Sequence, residues 1–97
     1  MVRLDRPPGY DFKLDPPDRL TCGESTVDVG ATVYRALAFL AAHAGRASVT
    51  DLTQAVWGIP EVPRRTLHSL CHRASDALAR VGCVQRCGVD GPDALLC

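Results

Sequence analysis

Aromatic residues are scarce in this sequence of 97 residues, which holds one Trp, two Tyr and two Phe. Aliphatic side chains must therefore supply most of the burial, in a core that this length limits to a single domain. No apolar run approaches the roughly 20 residues that span a bilayer, and the longest apolar-rich run is 36–42. Residues 1–17 are rich in Arg, Asp and Pro and do not resemble a secretion signal. These absences predict a cytoplasmic chain without a membrane partner, whose five cysteines are reduced thiols.

The charge balance as a whole does not favour nucleic-acid binding. Eleven Lys and Arg residues are matched by eleven Asp and Glu residues, so the net charge is zero. The distribution along the chain is less even, because 1–35 carries five basic and six acidic residues whereas 46–86 carries six arginines and three acidic residues. All but one of the basic residues are Arg, whose planar guanidinium suits phosphate groups and guanine edges better than Lys does. This asymmetry weakly favours an anionic partner for the second half of the chain.

The N-terminal third predicts a small antiparallel sheet after a loose lead-in. Residues 1–9 are polar and include two prolines and a glycine. Alternating apolar and polar residues predict strands at 10–14, 19–22 and 25–29, separated by turns rich in Pro, Asp and Gly. Three strands of this length are marginal alone, so we expect a helix to pack against them.

Two helices are predicted next. The first is capped by Thr32 and ends near Ala44 and Gly45, where glycine suits a left-handed stop. The second runs from Asp51 to Trp57, with Ser48 or Thr50 as its cap. The residues expected to face inward are Val33, Leu37, Phe39, Leu40 and Ala41 in the first helix and Leu52, Ala55, Val56 and Trp57 in the second.

A third helix carries the clearest periodic pattern in the sequence. It is predicted to begin near Pro63, to reach about Val81 and to stop at Gly82. Apolar residues at intervals of three and four give it one buried face, consisting of Leu67, Leu70, Cys71, Ala74, Leu78 and Val81.

The chain is predicted to end in a β-hairpin. Residues 83–87 and 94–96 form its two strands, around a tip at 88–93 that is rich in Gly and Asp. A hairpin directly after a long amphipathic helix is what a wing requires. The predicted fold is therefore α+β, a winged helix-turn-helix with a small N-terminal antiparallel sheet, three helices and a C-terminal β-hairpin wing, in one domain over 10–97.

Several local motifs within 10–97 occur in a recognisable order. Val-Asp-Val at 27–29 precedes Ala-Leu-Ala-Phe-Leu at 36–40 and His-Ala-Gly-Arg at 43–46, and 48–58 ends in Ala-Val-Trp-Gly. In these motifs, and in the apolar spacing of the third helix, the chain resembles the winged-helix output domains of two-component response regulators of the OmpR/PhoB type. The resemblance implies a DNA-binding transcription regulator.

The sequence also departs from that family. Cys-His-Arg-Ala-Ser-Asp at 71–76 is less basic than the middle of the family's recognition helix. The tip sequence at 87–91 keeps the glycines of the family's wing and lacks its tyrosine.

The exposed side of the third helix holds the residues predicted to contact DNA. In a helix-turn-helix the recognition helix lies in the major groove, and flanking arginines contact phosphates. An alternative explanation is that polar residues merely solvate the outer side of an amphipathic helix. The candidates are Arg64, Arg65, His68, Ser69, His72 and Arg73 on this helix, with Arg46, Thr50, Gln54 and Arg86 as further candidates for contact with the DNA backbone.

Metal binding and catalysis are not expected. Cys83 and Cys87 are separated by three residues within one predicted strand, whereas zinc sites usually use closer pairs. Cys71 lies on the apolar side of the third helix and His68 and His72 do not, so these ligands would diverge. Adjacent helical residues such as Cys71 and His72 cannot act as a catalytic pair, and the sequence has neither a phosphate-binding loop nor a dinucleotide-binding motif. We therefore predict no enzyme activity and no cofactor.

Two classes of function remain open at this point. The first is a module that binds duplex DNA, with the third helix in the major groove and the wing on the backbone. The second is a winged helix used as an adaptor for a protein partner, which the zero net charge favours. A homodimer is compatible with the first class, because such domains often bind repeated half-sites.

Overall fold

The first three strands form an antiparallel sheet in the order β1–β2–β3. The computed structural model describes residues 12–16 and 18–96, and the strands are β1 (Phe12–Asp15), β2 (Arg19–Cys22) and β3 (Ser25–Asp28). Phe12 pairs with Cys22, and Leu20 pairs with both Leu14 and Val27, so the apolar side chains share the face that joins the core. The predicted sheet is thus confirmed, while the lead-in at 1–9 and Tyr10 lie outside the described residues.

Helix α1 (Gly30–Ala42) begins two residues before the predicted cap. Val29 is the residue before the helix, it already has helical backbone angles, and its N–H donates to the Asp18 carbonyl, 2.8 Å away. No side chain caps this end, so the prediction of Thr32 as the cap is wrong. The buried residues are Val33, Ala36, Leu37 and Leu40, whereas Phe39 and Ala41 are only partly buried.

The end of α1 is closed by residues with left-handed backbone angles. Ala44 has φ of 58° and Gly45 has φ of 85°. The N–H of Gly45 donates to the Leu40 carbonyl at 2.7 Å, and the N–H of Ala44 donates to the Ala41 carbonyl at 3.3 Å. These bonds satisfy carbonyls that the helix leaves without partners. The predicted stop is confirmed, with alanine at the position that usually holds glycine.

A short strand, β4 (Arg46–Ser48), and helix α2 (Val49–Trp57) follow. Ser48 caps α2, because its hydroxyl oxygen accepts from the Asp51 N–H at 3.0 Å. The buried residues of α2 are Leu52, Thr53 and Val56. The inward-facing prediction is wrong for Ala55, which is exposed, whereas Trp57 is partly buried and packs against the core. Both lie about a quarter turn away from the centre of the buried side.

Helix α3 (Arg64–Arg80) matches its prediction most closely. All six predicted apolar positions, ending at Val81, are buried, and Ala77 is buried with them. The helix stops at Gly82, which has φ of 79°. The N–H of Gly82 donates to the Ala79 carbonyl and the N–H of Cys83 to the Leu78 carbonyl, at 3.0 and 2.9 Å. Only glycine adopts such backbone angles without a steric cost.

The C-terminal hairpin pairs with β4, so the second antiparallel sheet has the order β4–β6–β5. Its strands are β5 (Cys87–Asp90) and β6 (Asp93–Leu96), joined at Gly91 and Pro92. The predicted first strand at 83–87 is wrong, because 83–86 has no regular structure and carries the chain from the end of α3 to β5.

One buried cluster joins side chains from both sheets and all three helices. The described part of the chain is therefore a small α+β domain with three helices and two antiparallel sheets. Within 12–16 and 18–96, no helix has both the length and the apolar character that crossing a membrane requires.

Candidate functional site

Helix α3 presents a continuous exposed side opposite to its buried face. Arg65, Ser69 and His72 are three or four residues apart and form the middle of this side, and Arg64 and Arg73 lie at its two edges. The predicted exposure is confirmed for all six candidates, whereas their binding role stays a prediction. We call this surface the α3 outer face, and it consists of Arg64, Arg65, His68, Ser69, His72 and Arg73.

The arginines of the α3 outer face differ from the others in their contacts. Among the described residues, Arg64, Arg65 and Arg73 have neither an ion pair nor a hydrogen bond from their side chains. The remaining described arginines are engaged: Arg19 with Asp28, Arg46 with Asp93, Arg80 with Asp76, Arg35 with the Val56 carbonyl, and Arg86 with the carbonyls of Cys83 and Gln85. Among the described arginines, the three whose side chains have no partner thus all lie on the α3 outer face.

The start of α2 lies beside the first turn of α3. Thr50 is exposed in the first turn of α2 and lines the same groove as Arg64. Glu61 lines this groove too, and Asp51 lies in the first turn of α2. Because acidic residues oppose anion binding at a helix N-terminus, the basic character weakens at this end of the outer face.

A second groove runs along the other flank of α3. Arg73 and Arg80 contribute two positive charges to its lining, and Asp28 and Asp76 contribute two negative charges. Arg80 and Asp76 form an ion pair 3.4 Å long, one helical turn apart. This groove has no excess of either sign, so the basic surface extends only from Arg64 to Arg73.

The two further arginine candidates are held by other groups. Arg46 lies in β4 and forms an ion pair with Asp93 of β6 at 3.0 Å. This ion pair links two neighbouring strands of the second sheet. Arg86 was predicted to lie in a hairpin strand, and this placement is wrong because it precedes β5. Its guanidinium donates to the Cys83 carbonyl at 3.1 Å and to the Gln85 carbonyl at 2.8 Å. Both side chains are exposed, but binding another anion competes with these contacts.

The hairpin is fastened to α3 by Ser75, a residue that the periodic pattern of the helix does not single out. The Ser75 hydroxyl donates to the Cys87 carbonyl at 3.1 Å, and its oxygen accepts from the Cys87 N–H at 2.9 Å. The sequence does place a serine in the middle of the helix, close to its buried face. Because such a hydroxyl needs a hydrogen-bond partner, this position could have indicated a contact with another element.

A second residue that the sequence patterns did not reveal is Thr53. It is fully buried, and its hydroxyl lies 2.8 Å from the Pro60 carbonyl and 2.9 Å from the Thr50 carbonyl. Pro60 belongs to the connection between α2 and α3, so Thr53 fixes the approach to the first turn of α3. A threonine between the apolar positions Leu52 and Val56 was the signal for a satisfied buried hydroxyl.

The described cysteines and histidines do not converge on a common point. Cys71, Cys83 and Cys87 are buried, whereas His68 and His72 are exposed. Within the described ranges, no group of three or more His, Cys, Asp or Glu side chains is arranged to hold a metal ion. The Cys87 thiol instead donates to the Cys71 sulfur, 3.4 Å away.

Comparisons with protein-family models, with curated proteins and with solved structures gave no match to this chain. Any assignment of function therefore depends on the geometry and charge of the α3 outer face.

Proposed function

We propose that this domain is a winged helix-turn-helix module that binds duplex DNA. In this proposal α3 lies in the major groove and the β5–β6 hairpin is the wing on the neighbouring backbone. The observation that carries it is the row of unpaired arginines, Arg64, Arg65 and Arg73, on the exposed side of a helix whose other side seals the core.

The chemistry of the α3 outer face fits the edges and phosphates of DNA. An Arg guanidinium can donate two hydrogen bonds to a guanine or to a phosphate, and Ser or His side chains can reach base edges. The middle of this face carries Arg65, Ser69 and His72, and the edges carry Arg64 and Arg73. Residues in the middle would contact bases, whereas the edge arginines would contact phosphates on the two sides of the groove.

The neighbours of α3 also support the proposal. The start of α2 with Thr50 lies next to Arg64, where a helix-turn-helix contacts the DNA backbone. The hairpin is anchored to α3 through Ser75, so helix and hairpin would approach the duplex as one unit. The connection at 58–63 is longer than the usual three or four residues of a helix-turn-helix, and Thr53 stiffens it through Pro60.

The test compares the salt dependence of binding for three chains. A fluorescent random-sequence duplex is titrated at several salt concentrations with the wild-type chain, with Arg64→Ala/Arg65→Ala and with Arg19→Ala. Removing one arginine–phosphate bond reduces the magnitude of the slope of log affinity against log salt by about 1, so loss of the proposed Arg64–phosphate bond should reduce the slope of the double variant by about 1. Arg19 is an arginine of the first sheet paired with Asp28, and its removal should leave the slope unchanged. An unchanged slope in the double variant would refute the proposal.

A second candidate is an adaptor that binds a protein. Two exposed apolar side chains favour it, Ile59 in the α2–α3 connection and Val84 after α3, the latter 76% exposed. The zero net charge and the acidic residues at both ends of the outer face favour it as well. Failure of the wild-type chain to bind any duplex at low salt would support this candidate over DNA binding.

A further inference from the structure

Two buried cysteines from different elements bring their sulfur atoms together. Cys71 lies in the middle of α3 and Cys87 is the first residue of β5. Their Sγ atoms are 3.4 Å apart, and the Cys87 thiol donates to the Cys71 sulfur. A disulfide needs about 2.05 Å, so the sulfurs would have to approach each other by roughly 1.4 Å.

The surrounding contacts hold the two residues in this relationship. Ser75 lies one helical turn after Cys71 and binds both the N–H and the carbonyl of Cys87. Cys87 also pairs with Leu96, which anchors β5 in the second sheet. The pair is therefore held between two fixed backbones and does not depend on a mobile loop.

We propose that Cys71 and Cys87 are a site of reversible oxidation, at which a peroxide converts the two thiols into a disulfide that joins α3 to β5. The proposal is independent of DNA binding, because it concerns only the contact between the buried side of α3 and the hairpin.

The reaction balances with one molecule of peroxide. The Cys71 thiolate attacks one peroxide oxygen, the O–O bond breaks, and a sulfenic acid and hydroxide form. The Cys87 sulfur then attacks the Cys71 sulfur, the S–O bond breaks, and the released hydroxide takes up a proton. Two thiols and one hydrogen peroxide thus give one disulfide and two molecules of water. The sulfurs lose two electrons and the peroxide gains them.

The order of the two cysteines follows from their hydrogen bond. The bond from Cys87 lowers the pKa of the Cys71 thiol, and this effect outweighs burial, which raises it. The thiolate is the nucleophile, so Cys71 attacks the peroxide and Cys87 resolves the sulfenic acid. A small oxidant suits the site, because both residues are largely shielded from solvent.

Peptide mapping distinguishes this pair from every other pair. Trypsin cleaves after Arg65, Arg73, Arg80 and Arg86, which puts Cys71, Cys83 and Cys87 on the separate peptides 66–73, 81–86 and 87–97. Because Cys97 shares the last peptide with Cys87, the folded chain used carries Cys97→Ala. It is treated with hydrogen peroxide, its remaining thiols are blocked, and the digest is analysed by mass spectrometry without reduction.

The expected product is peptide 66–73 joined to peptide 87–97 with the loss of two hydrogen atoms, and it should disappear after treatment with dithiothreitol. Because the link closes a loop of about 15 residues, Tm should rise by about 15 °C on oxidation. The rise should be absent in Cys71→Ala and retained in Cys22→Ala, whose cysteine lies in the first sheet.

Three results would overturn the proposal: a link that involves 81–86, oxidation of Cys71 to a sulfinic acid without any link to 87–97, or no reaction of Cys71. The mapping uses the chain with both cysteines in place, so it decides the question even if the Cys71→Ala variant does not fold.

Discussion

The hydroxyl of Thr53 donates to the carbonyl oxygen of Pro60, 2.8 Å away, and so fastens the α2–α3 connection to α2. The same hydroxyl lies 2.9 Å from the Thr50 carbonyl, and its single proton is shared between the two oxygens. Thr53 is fully buried, so these carbonyls are the partners that offset its desolvation. The orientation of the first turn of α3, with Arg64 and Arg65, depends in part on this bond.

Replacing this hydroxyl by a methyl group should destabilise the domain. Thr53→Val keeps the shape of the side chain and removes the bond to Pro60, which should lower the free energy of unfolding by about 1 kcal/mol. Urea denaturation followed by circular dichroism measures the difference. Thr50→Val is the matched control, because Thr50 is exposed on the same helix and should change stability by less than about 0.5 kcal/mol. Equal stability of the two variants would contradict this role of Thr53.

Replacing Ala44 by glycine should stabilise the domain. Its φ of 58° is costly for a residue with a Cβ atom, whereas glycine adopts it freely. We expect Ala44→Gly to raise the free energy of unfolding by about 0.5–1 kcal/mol. Ala42→Gly is the control, since Ala42 is the exposed last residue of α1 and glycine there should lower stability by about 0.5 kcal/mol. A loss of stability in Ala44→Gly would show that this backbone conformation is not maintained in solution.

The contact between α3 and the hairpin should depend on Ser75. Ser75→Ala removes both bonds to Cys87 and should cost about 1–3 kcal/mol, because the backbone groups of Cys87 lose partners close to the core. In the same variant, hydrogen exchange of the Cys87 amide should become faster than in the wild-type chain. Ser69→Ala, on the exposed side of the same helix, should change neither quantity. Unchanged exchange at Cys87 in Ser75→Ala would mean that other contacts hold the hairpin.

Sequence periodicity predicted α3 well because its pattern is local and long. Seventeen residues allow several repeats of the three-and-four spacing, so Leu67 and Leu78 fall on one side and Arg65 and His72 on the other. The exposed candidates of the outer face follow from the same periodicity.

Elements that depend on residues far away in the sequence could not be predicted from local periodicity. Strand β4 has only three residues, and its pairing joins Arg46 to Leu95, far along the chain. The engagement of Arg46 by Asp93 is equally non-local. The start of the hairpin was predicted too early because Cys83 completes the turn after α3, and the residues after it are needed to reach β5. Side-chain exposure along α3 was therefore predictable, whereas long-range pairing was not.

The most direct measurement is an NMR titration of the labelled chain with a short DNA duplex at low salt, which observes the Nε–H signals of the arginines. Binding through the α3 outer face should shift the signals of Arg64, Arg65 and Arg73 and leave that of Arg19, paired with Asp28 in the first sheet, in place. Shifts confined to Arg19 and the first sheet, or no shifts at all with excess duplex, would contradict the proposal that α3 binds DNA.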